Sequence, residues 1–210
     1  MKILVFGASG KTGSLLVTEA LALGFEVIAY VRRKESITEE HPNLKIIEGQ
    51  LNDKEKLKYA ISGSDACIST LGGSSLTKHN IQIIQGIDNI VTLMEEEKVK
   101  RLIYLSSIGA GNSRFYMPQP IRFLIADIML RVPLADHNAN ESRISQSKLD
   151  WTVIRPGGLT NGPKTSNLKH GFESMKMKGN GNISRSNVAA FMLEQLNQEN
   201  YLQKSVWLHE

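Results

Sequence analysis

The chain has 210 residues, 41% hydrophobic and 22% charged, proportions that exclude a disordered or fibrous polypeptide. Lys plus Arg number 25 and Asp plus Glu 21, so the net charge is +4; that favours anionic small molecules but is too small and too scattered for a nucleic-acid-binding surface. The single cysteine, Cys67, excludes an intramolecular disulfide or a multi-cysteine metal site, and points to a reducing compartment.

Lys2–Phe6 (KILVF) reads as a short strand, apolar enough to be covered on both faces. Lys11–Leu23 spaces its apolar residues as a helix does, and Gly24 ends it. Glu26–Val31 is a second strand and Lys45–Glu48 a weaker third. Asp53–Ile61 is a short helix with Asp53 near its N-cap. Asp65–Thr70 is a fourth strand, in which Cys67 is inert core. Asn80–Lys98 is a long helix with Ile83, Ile87, Ile90 and Met94 on one face. Lys98, Lys100 and Arg101 are solvated. Arg101–Ser106 is the fifth strand, Ile121–Leu130 a buried helix and Trp151–Arg155 the sixth strand. Ser186–Leu196 is helical and Ser205–Leu208 is an extra edge strand.

Strands separated by helices build βαβ units, hence an α/β fold: a doubly wound parallel sheet in a three-layer α/β/α arrangement. The expectation is a single domain over 1–210. Two polar, glycine-rich segments break the rhythm, within 109–135 and 159–185; they are the expected substrate loops, the second with a small hairpin around Gly179–Gly181. No apolar run approaches the roughly 20 residues of a membrane span. A cytoplasmic protein, without membrane or nucleic-acid partners, is expected as a monomer or homodimer.

The sharpest motif is Gly7-Ala8-Ser9-Gly10-Lys11-Thr12-Gly13, between a buried strand and a helix. Gly7 permits a tight turn, Gly10 lets backbone N–H groups approach a pyrophosphate, and Gly13 allows close helix–strand packing. Ser9, Lys11 and Thr12 belong to the same phosphate-facing loop. An NAD-preferring site needs a carboxylate at the end of the second strand. Here that place holds Arg32 and Arg33, and an arginine pairs a 2′-phosphate bidentately, so NADP(H) is expected over NAD(H), with Arg32 as its reader.

The spacing G-x-x-G-x-x-G in VFGASGKTG resembles the atypical and extended short-chain dehydrogenase/reductases. Val31-Arg32-Arg33, Glu48–Asp53, Leu102–Ser107 (LIYLSS) and Trp151–Gly157 (WTVIRPG) resemble further motifs of that group. The nearest resemblance is to the NAD(P)H-binding, NmrA-like family, which includes biliverdin reductase B, a flavin reductase. It implies a Rossmann-type sheet in the order 3-2-1-4-5-6. It also implies that Gln50 and Leu51 hold the adenine, with Gln50 in place of the usual Asp. Thr70, Leu71 and Gly72 would lie beside the riboses, and Ser106 and Pro156 near the nicotinamide.

Standard members carry a tyrosine four residues before a lysine, which lowers the tyrosine pKa for proton shuttling. Only Tyr30 has this spacing, to Lys34, and it lies at the adenosine end, so the match is accidental. Without the dyad, the favoured chemistry is hydride transfer to a flavin, quinone or similar planar acceptor, which can take its proton from water. Ser107 and His137 are the candidate acceptor-orienting residues, with Glu141 one turn beyond His137; the His137 assignment comes from the resemblance. Phe115, Tyr116, Met117, Met175 and Met177 are candidate ring-pocket residues. No metal is expected. One alternative is a catalytically silent NADP(H) sensor of the NmrA type. A sugar-nucleotide epimerase or dehydratase is disfavoured by the missing dyad and the short tail beyond Gly158.

Overall fold

The computed structural model describes residues 1–73, 75–116, 119, 122–172 and 181–210. The strands are β1 (Lys2–Phe6), β2 (Glu26–Val31), β3 (Leu44–Glu48), β4 (Ala66–Ser69), β5 (Arg101–Leu105), β6 (Asp150–Pro156), β7 (Gly158–Thr160), β8 (Lys169–Gly171), β9 (Asn182–Ser184) and β10 (Lys204–His209). The helices are α1 (Lys11–Ala22), α2 (Lys54–Ser62), α3 (Ile81–Glu96), α4 (Arg131–Ser145) and α5 (Arg185–Glu194).

The main sheet runs β3-β2-β1-β4-β5-β6-β10-β8. Its first six strands take the expected order. All its pairings are parallel except that of β10 with β8, an antiparallel edge strand with no sequence signal. Alternation along each strand divides the core. Ile3, Val5, Ile68 and Ile103 face α1 and α5, whereas Leu4, Phe6, Cys67 and Leu102 face α2, α3 and α4. Burying large aliphatic side chains on both faces stabilises such a sheet by about 1.5–3 kcal/mol for each one fully buried.

Helix starts follow their capping chemistry. Asp53 accepts from the Lys56 N–H at 3.1 Å, Asn80 from Ile83 at 3.1 Å, and Ser184 from Asn187 at 3.2 Å. α1, starting after Gly10, has no side-chain cap and no acid in its first turn, and the same holds for α4 after Leu130. α1 ends as expected, with Gly24 at φ +82° and the Phe25 N–H bonded to the Ala20 carbonyl at 3.0 Å.

Two expectations need correction. Arg101 is not solvated: its guanidinium donates to the carbonyls of Gln195 and Asp150 and to the Thr152 hydroxyl, tying together the ends of β5, β6 and α5. The described part of Ile121–Leu130 is not a buried helix. Arg122–Met129 is a π-helical segment whose Phe123, Leu124, Ile128 and Met129 are more than half exposed, while Ala126 packs with Ala110 and Leu134. Gly181 leads into β9, which pairs in parallel with β7; the hairpin expected around Gly179–Gly181 falls on 173–180, outside the described residues. Gly179, Met117, Met175 and Met177 lie outside the described residues. Among the described residues, no helix is long and apolar enough to cross a membrane.

Candidate functional site

Strand order reverses between β1 and β4, and there a cleft of about 790 Å³ opens at the carboxyl ends of the strands. Its near wall is the loop between β1 and α1, contributing Gly7, Ser9 and Gly10. Gly7 adopts φ +77°, a conformation suited to glycine. A Cβ on Gly13 would stand 2.2 Å from the Gly7 carbonyl oxygen, so α1 approaches the loop as closely as backbone allows. Thr70 pins the same turn: its hydroxyl lies 3.1 Å from both the Phe6 and the Gly7 carbonyl oxygens. Thr70 thus shapes the phosphate loop from below while also lining the cleft, with Leu71 and Gly72 beside it. Lys11 is exposed and Thr12 buried; neither they nor Gly13 line the cleft wall.

The uncapped start of α1 leaves first-turn N–H groups without a side-chain acceptor, and the helix dipole adds positive potential at this end. Arg32, exposed on the cleft at the end of β2, has no acidic partner among the described residues. The nearby Glu48 is engaged by the Lys34 N–H at 2.9 Å. Among the described residues the one acid on the lining is Asp88, which accepts from Arg143 Nε at 2.5 Å. The cleft therefore offers its uncompensated charge to an anion. This glycine cradle, with an unpaired arginine at its far end, fits a phosphorylated dinucleotide.

Tyr30 builds the opposite wall. Its buried hydroxyl donates to the Gln50 carbonyl at 2.9 Å, and a Cβ on Gly49 would sit 2.2 Å from that hydroxyl oxygen. Burial, with Asp53 adding to it, pushes the phenol up to about 12. Leu51 is fixed by Asn89 Nδ2, which donates to its carbonyl at 2.9 Å. Gln50 and Leu51 both line the cleft, as expected. Tyr30 itself was legible only as an accidental Tyr–Lys spacing.

A second group of polar residues joins the ends of β5 and β6 to α4. Glu141 accepts from the Ser106 hydroxyl at 2.5 Å and from Arg155 Nε at 3.1 Å and Nη2 at 2.5 Å. Arg155 Nη1 donates to Asn112 Oδ1 at 2.7 Å. Gly111 makes room for that guanidinium, since a Cβ there would lie 2.3 Å from Nη2. Beside this cluster the buried Tyr104 hydroxyl stands 3.0 Å from His137 Nδ1 and accepts from Asn140 Nδ2 at 2.9 Å. Burial raises the Tyr104 phenol and lowers the His137 imidazole; Glu141 and Asp136 oppose the latter effect.

Of the expected acceptor-end residues, His137 is half-buried within this network. Ser106 has committed its hydroxyl hydrogen to Glu141, and Ser107 donates to the Ile108 carbonyl at 3.1 Å. The Pro156 carbonyl accepts from the Ile108 N–H at 2.9 Å, which continues the β5–β6 pairing. Tyr116 is buried, with its hydroxyl 3.2 Å from Asn112 Nδ2, whereas Phe115 is exposed. Sequence reasoning missed Tyr104, Asn140 and Arg155. Tyr104 carries no sequence signal, since position 108, four residues on, is an isoleucine and not a lysine. Asp136, also missed, links this network to the cleft: it accepts from the Asn80 N–H at 2.8 Å and lies 2.5 Å from His79 Nδ1. Among the described residues no group of His, Cys, Asp and Glu could hold a metal ion.

Comparison with known proteins agrees with this geometry. A family model described as NAD(P)H-binding matches residues 7–199. An uncharacterized chloroplastic protein of Arabidopsis thaliana is 29% identical over 210 residues, covering 94% of this chain and 72% of its own length. The uncharacterized sugar epimerase YhfK of Bacillus subtilis is 26% identical over 209 residues, covering 95% of this chain and 90% of its own. Among solved structures, the anaerobillin reductase ChuY of Escherichia coli O157:H7 superposes with a TM-score of 0.83 at 25% identity, covering 100% of this chain and 97% of its own.

Proposed function

The chain belongs to the NAD(P)H-binding family, and on that premise we propose that it is an NADPH-dependent reductase of a flavin, quinone or similar planar acceptor. The observation that carries the reading is the pairing, on one cleft, of an uncapped α1 with an Arg32 that has no acidic partner among the described residues. Gly7, Ser9 and Gly10 hold the pyrophosphate at the helix start, Lys11 and Thr12 belong to the first turn behind them, and Gly13 lets that turn pack close to the loop. Arg32 reads the 2′-phosphate, Gln50 and Leu51 hold the adenine, and Thr70, Leu71 and Gly72 lie along the riboses. Ser106 and Pro156 border the nicotinamide, and Ser107 and His137 orient the acceptor.

When bound, the nicotinamide supplies a hydride. The protein's own contribution is position: a preorganised wall at the ends of β5 and β6 that holds the acceptor flat. The ion-paired Glu141 and Arg155 stiffen that wall. The reductase named among the structural relatives supports the reaction class. The buried Cys67 and the modest charge fit a cytoplasmic protein, monomeric or homodimeric, acting on small molecules.

The test is to follow the nicotinamide absorbance of NADPH with purified protein and a panel of FMN, riboflavin and quinones. Turnover with at least one acceptor is expected. Measurable NADPH binding with no turnover across the panel would overturn the reading in favour of a catalytically silent NADP(H) sensor. That second reading has its own support: both serine hydroxyls are satisfied inside the protein, Ser106 by Glu141 and Ser107 by the Ile108 carbonyl.

A further inference from the structure

The direction of the hydrogen bond between Tyr104 and His137 follows from Tyr104's other partner. Asn140 Nδ2 approaches the phenol oxygen at 2.9 Å, and an amide nitrogen only donates. The oxygen therefore accepts from Asn140, which leaves its own hydrogen free, and His137 Nδ1, 3.0 Å away, is the acceptor beside it among the described residues. A ring nitrogen that accepts carries no hydrogen, so a neutral imidazole here keeps its hydrogen on Nε2. Nε2 has no hydrogen-bond partner among the described residues. Asn140 is 2% exposed, and its Oδ1 is also without a partner there.

The charges around the ring are largely spent on other groups. Glu141, one turn along α4, is paired with Arg155 from β6 and accepts from Ser106 after β5. Asp136, next to His137 on α4, is held by His79 and the Asn80 N–H from the segment before α3. Both carboxylates favour the cationic ring, but burial outweighs them.

We propose that Tyr104 and Asn140 are positioning residues that lock His137 as the neutral Nε2–H tautomer, a fixed hydrogen-bond donor toward the acceptor atom that gathers negative charge. The donation toward an acceptor rests on the reductase reading; the tautomer lock does not. No proton leaves His137, because a neutral imidazole that gave up its hydrogen would become an imidazolate. The proton that balances hydride addition comes from water, and His137 acts by electrostatic stabilisation.

The experiment is two-bond ¹⁵N–¹H correlation spectroscopy on protein labelled at its 5 histidines, with His137 assigned by its absence in His137→Gln. At about pH 7 the wild type is expected to give the Nε2–H pattern, and Tyr104→Phe a mixture of tautomers. An Nδ1–H or cationic pattern in the wild type overturns the proposal. So does an unchanged single tautomer in a folded Tyr104→Phe or, should that variant not fold, in Asn140→Leu.

Kinetics with NADPH and the acceptor panel supply a second readout. His137→Gln keeps a neutral donor and should retain kcat within about tenfold, whereas His137→Leu should lose about 10²-fold or more. A wild-type kcat that falls with rising pH through an imidazole titration would show net proton donation and overturn the proposal. Failure of every acceptor defeats the reductase reading alone, and the spectra still decide the tautomer.

Discussion

Arg155, near the end of β6, grips Glu141 on α4 through two hydrogen bonds, Nε to Oε1 at 3.1 Å and Nη2 to Oε2 at 2.5 Å, with the two side chains only 8% and 9% exposed. Such a fork joins a strand of the sheet to a helix on its face. Glu141→Ala would leave a buried guanidinium with Asn112 as its remaining side-chain partner. Removing one partner of a buried pair costs about 3–5 kcal/mol, because the remaining charge stays desolvated. Urea denaturation should show that loss. Glu141→Leu combined with Arg155→Met should recover much of it, since the desolvated charge is then gone. Equal midpoints for the single and double variants would contradict this account.

Arg32 is expected to distinguish the two nicotinamide cofactors. A charge-assisted hydrogen bond contributes about 1.5–3 kcal/mol, so Arg32→Ala should weaken NADPH about 10- to 100-fold and leave NADH nearly unchanged. Fluorescence titration with each cofactor measures both. Equal weakening would show that Arg32 does not read the 2′-phosphate.

Two glycines separate conformational strain from steric closure. A Cβ at Gly13 would meet the Gly7 carbonyl oxygen at 2.2 Å and the Thr70 hydroxyl oxygen at 2.7 Å, and the backbone atom cannot swing aside. Gly13→Ala should cost about 1–3 kcal/mol and, by displacing the loop, lower NADPH affinity as well. Gly24 has φ +82°, but nothing lies within 4 Å of its Cβ position. Gly24→Ala should therefore lose about 1–2 kcal/mol to strain alone and bind NADPH as the wild type does. Thermal unfolding read alongside cofactor titration separates the two effects, and reduced binding in Gly24→Ala would refute it.

The parts of the molecule that were legible in the sequence are those where one residue type answers a local requirement. β1, β2, β4, β5 and β6 read as strands because both faces are buried, leaving near-continuous apolar runs. The glycine loop read as a ligand loop because turn geometry and helix approach both require glycine. β8 was invisible: Lys169–Gly171 is short and polar, and pairs antiparallel with β10. The network of Tyr104, His137, Asn140, Glu141 and Arg155 was only half visible, because periodicity assigns a residue to a face and not to a partner on another element. Arg101 failed for the same reason, its acceptors lying on Asp150, Thr152 and Gln195. In Arg122–Met129 apolar composition suggested burial, yet the packing spends only part of that surface on the core.

The acid side of the stability curve should report on His137. Burial lowers its pKa below the ordinary value of 6.5, so the folded protein takes up a proton less readily than the unfolded chain. Wherever the unfolded state binds more protons, stability rises with pH. This contribution is therefore fully present above 6.5 and is lost as the pH falls from there through the folded-state value. His137→Gln removes that titration and leaves His41, His79, His170 and His209 in place. The stability difference between wild type and variant should then shrink in the variant's favour as the pH drops below 6.5, and stay constant above it. Urea midpoints measured in parallel over that range test the claim. A gap that widens in the wild type's favour on acidification would mean that the folded state raises the pKa of His137, and that Glu141 and Asp136 outweigh its burial.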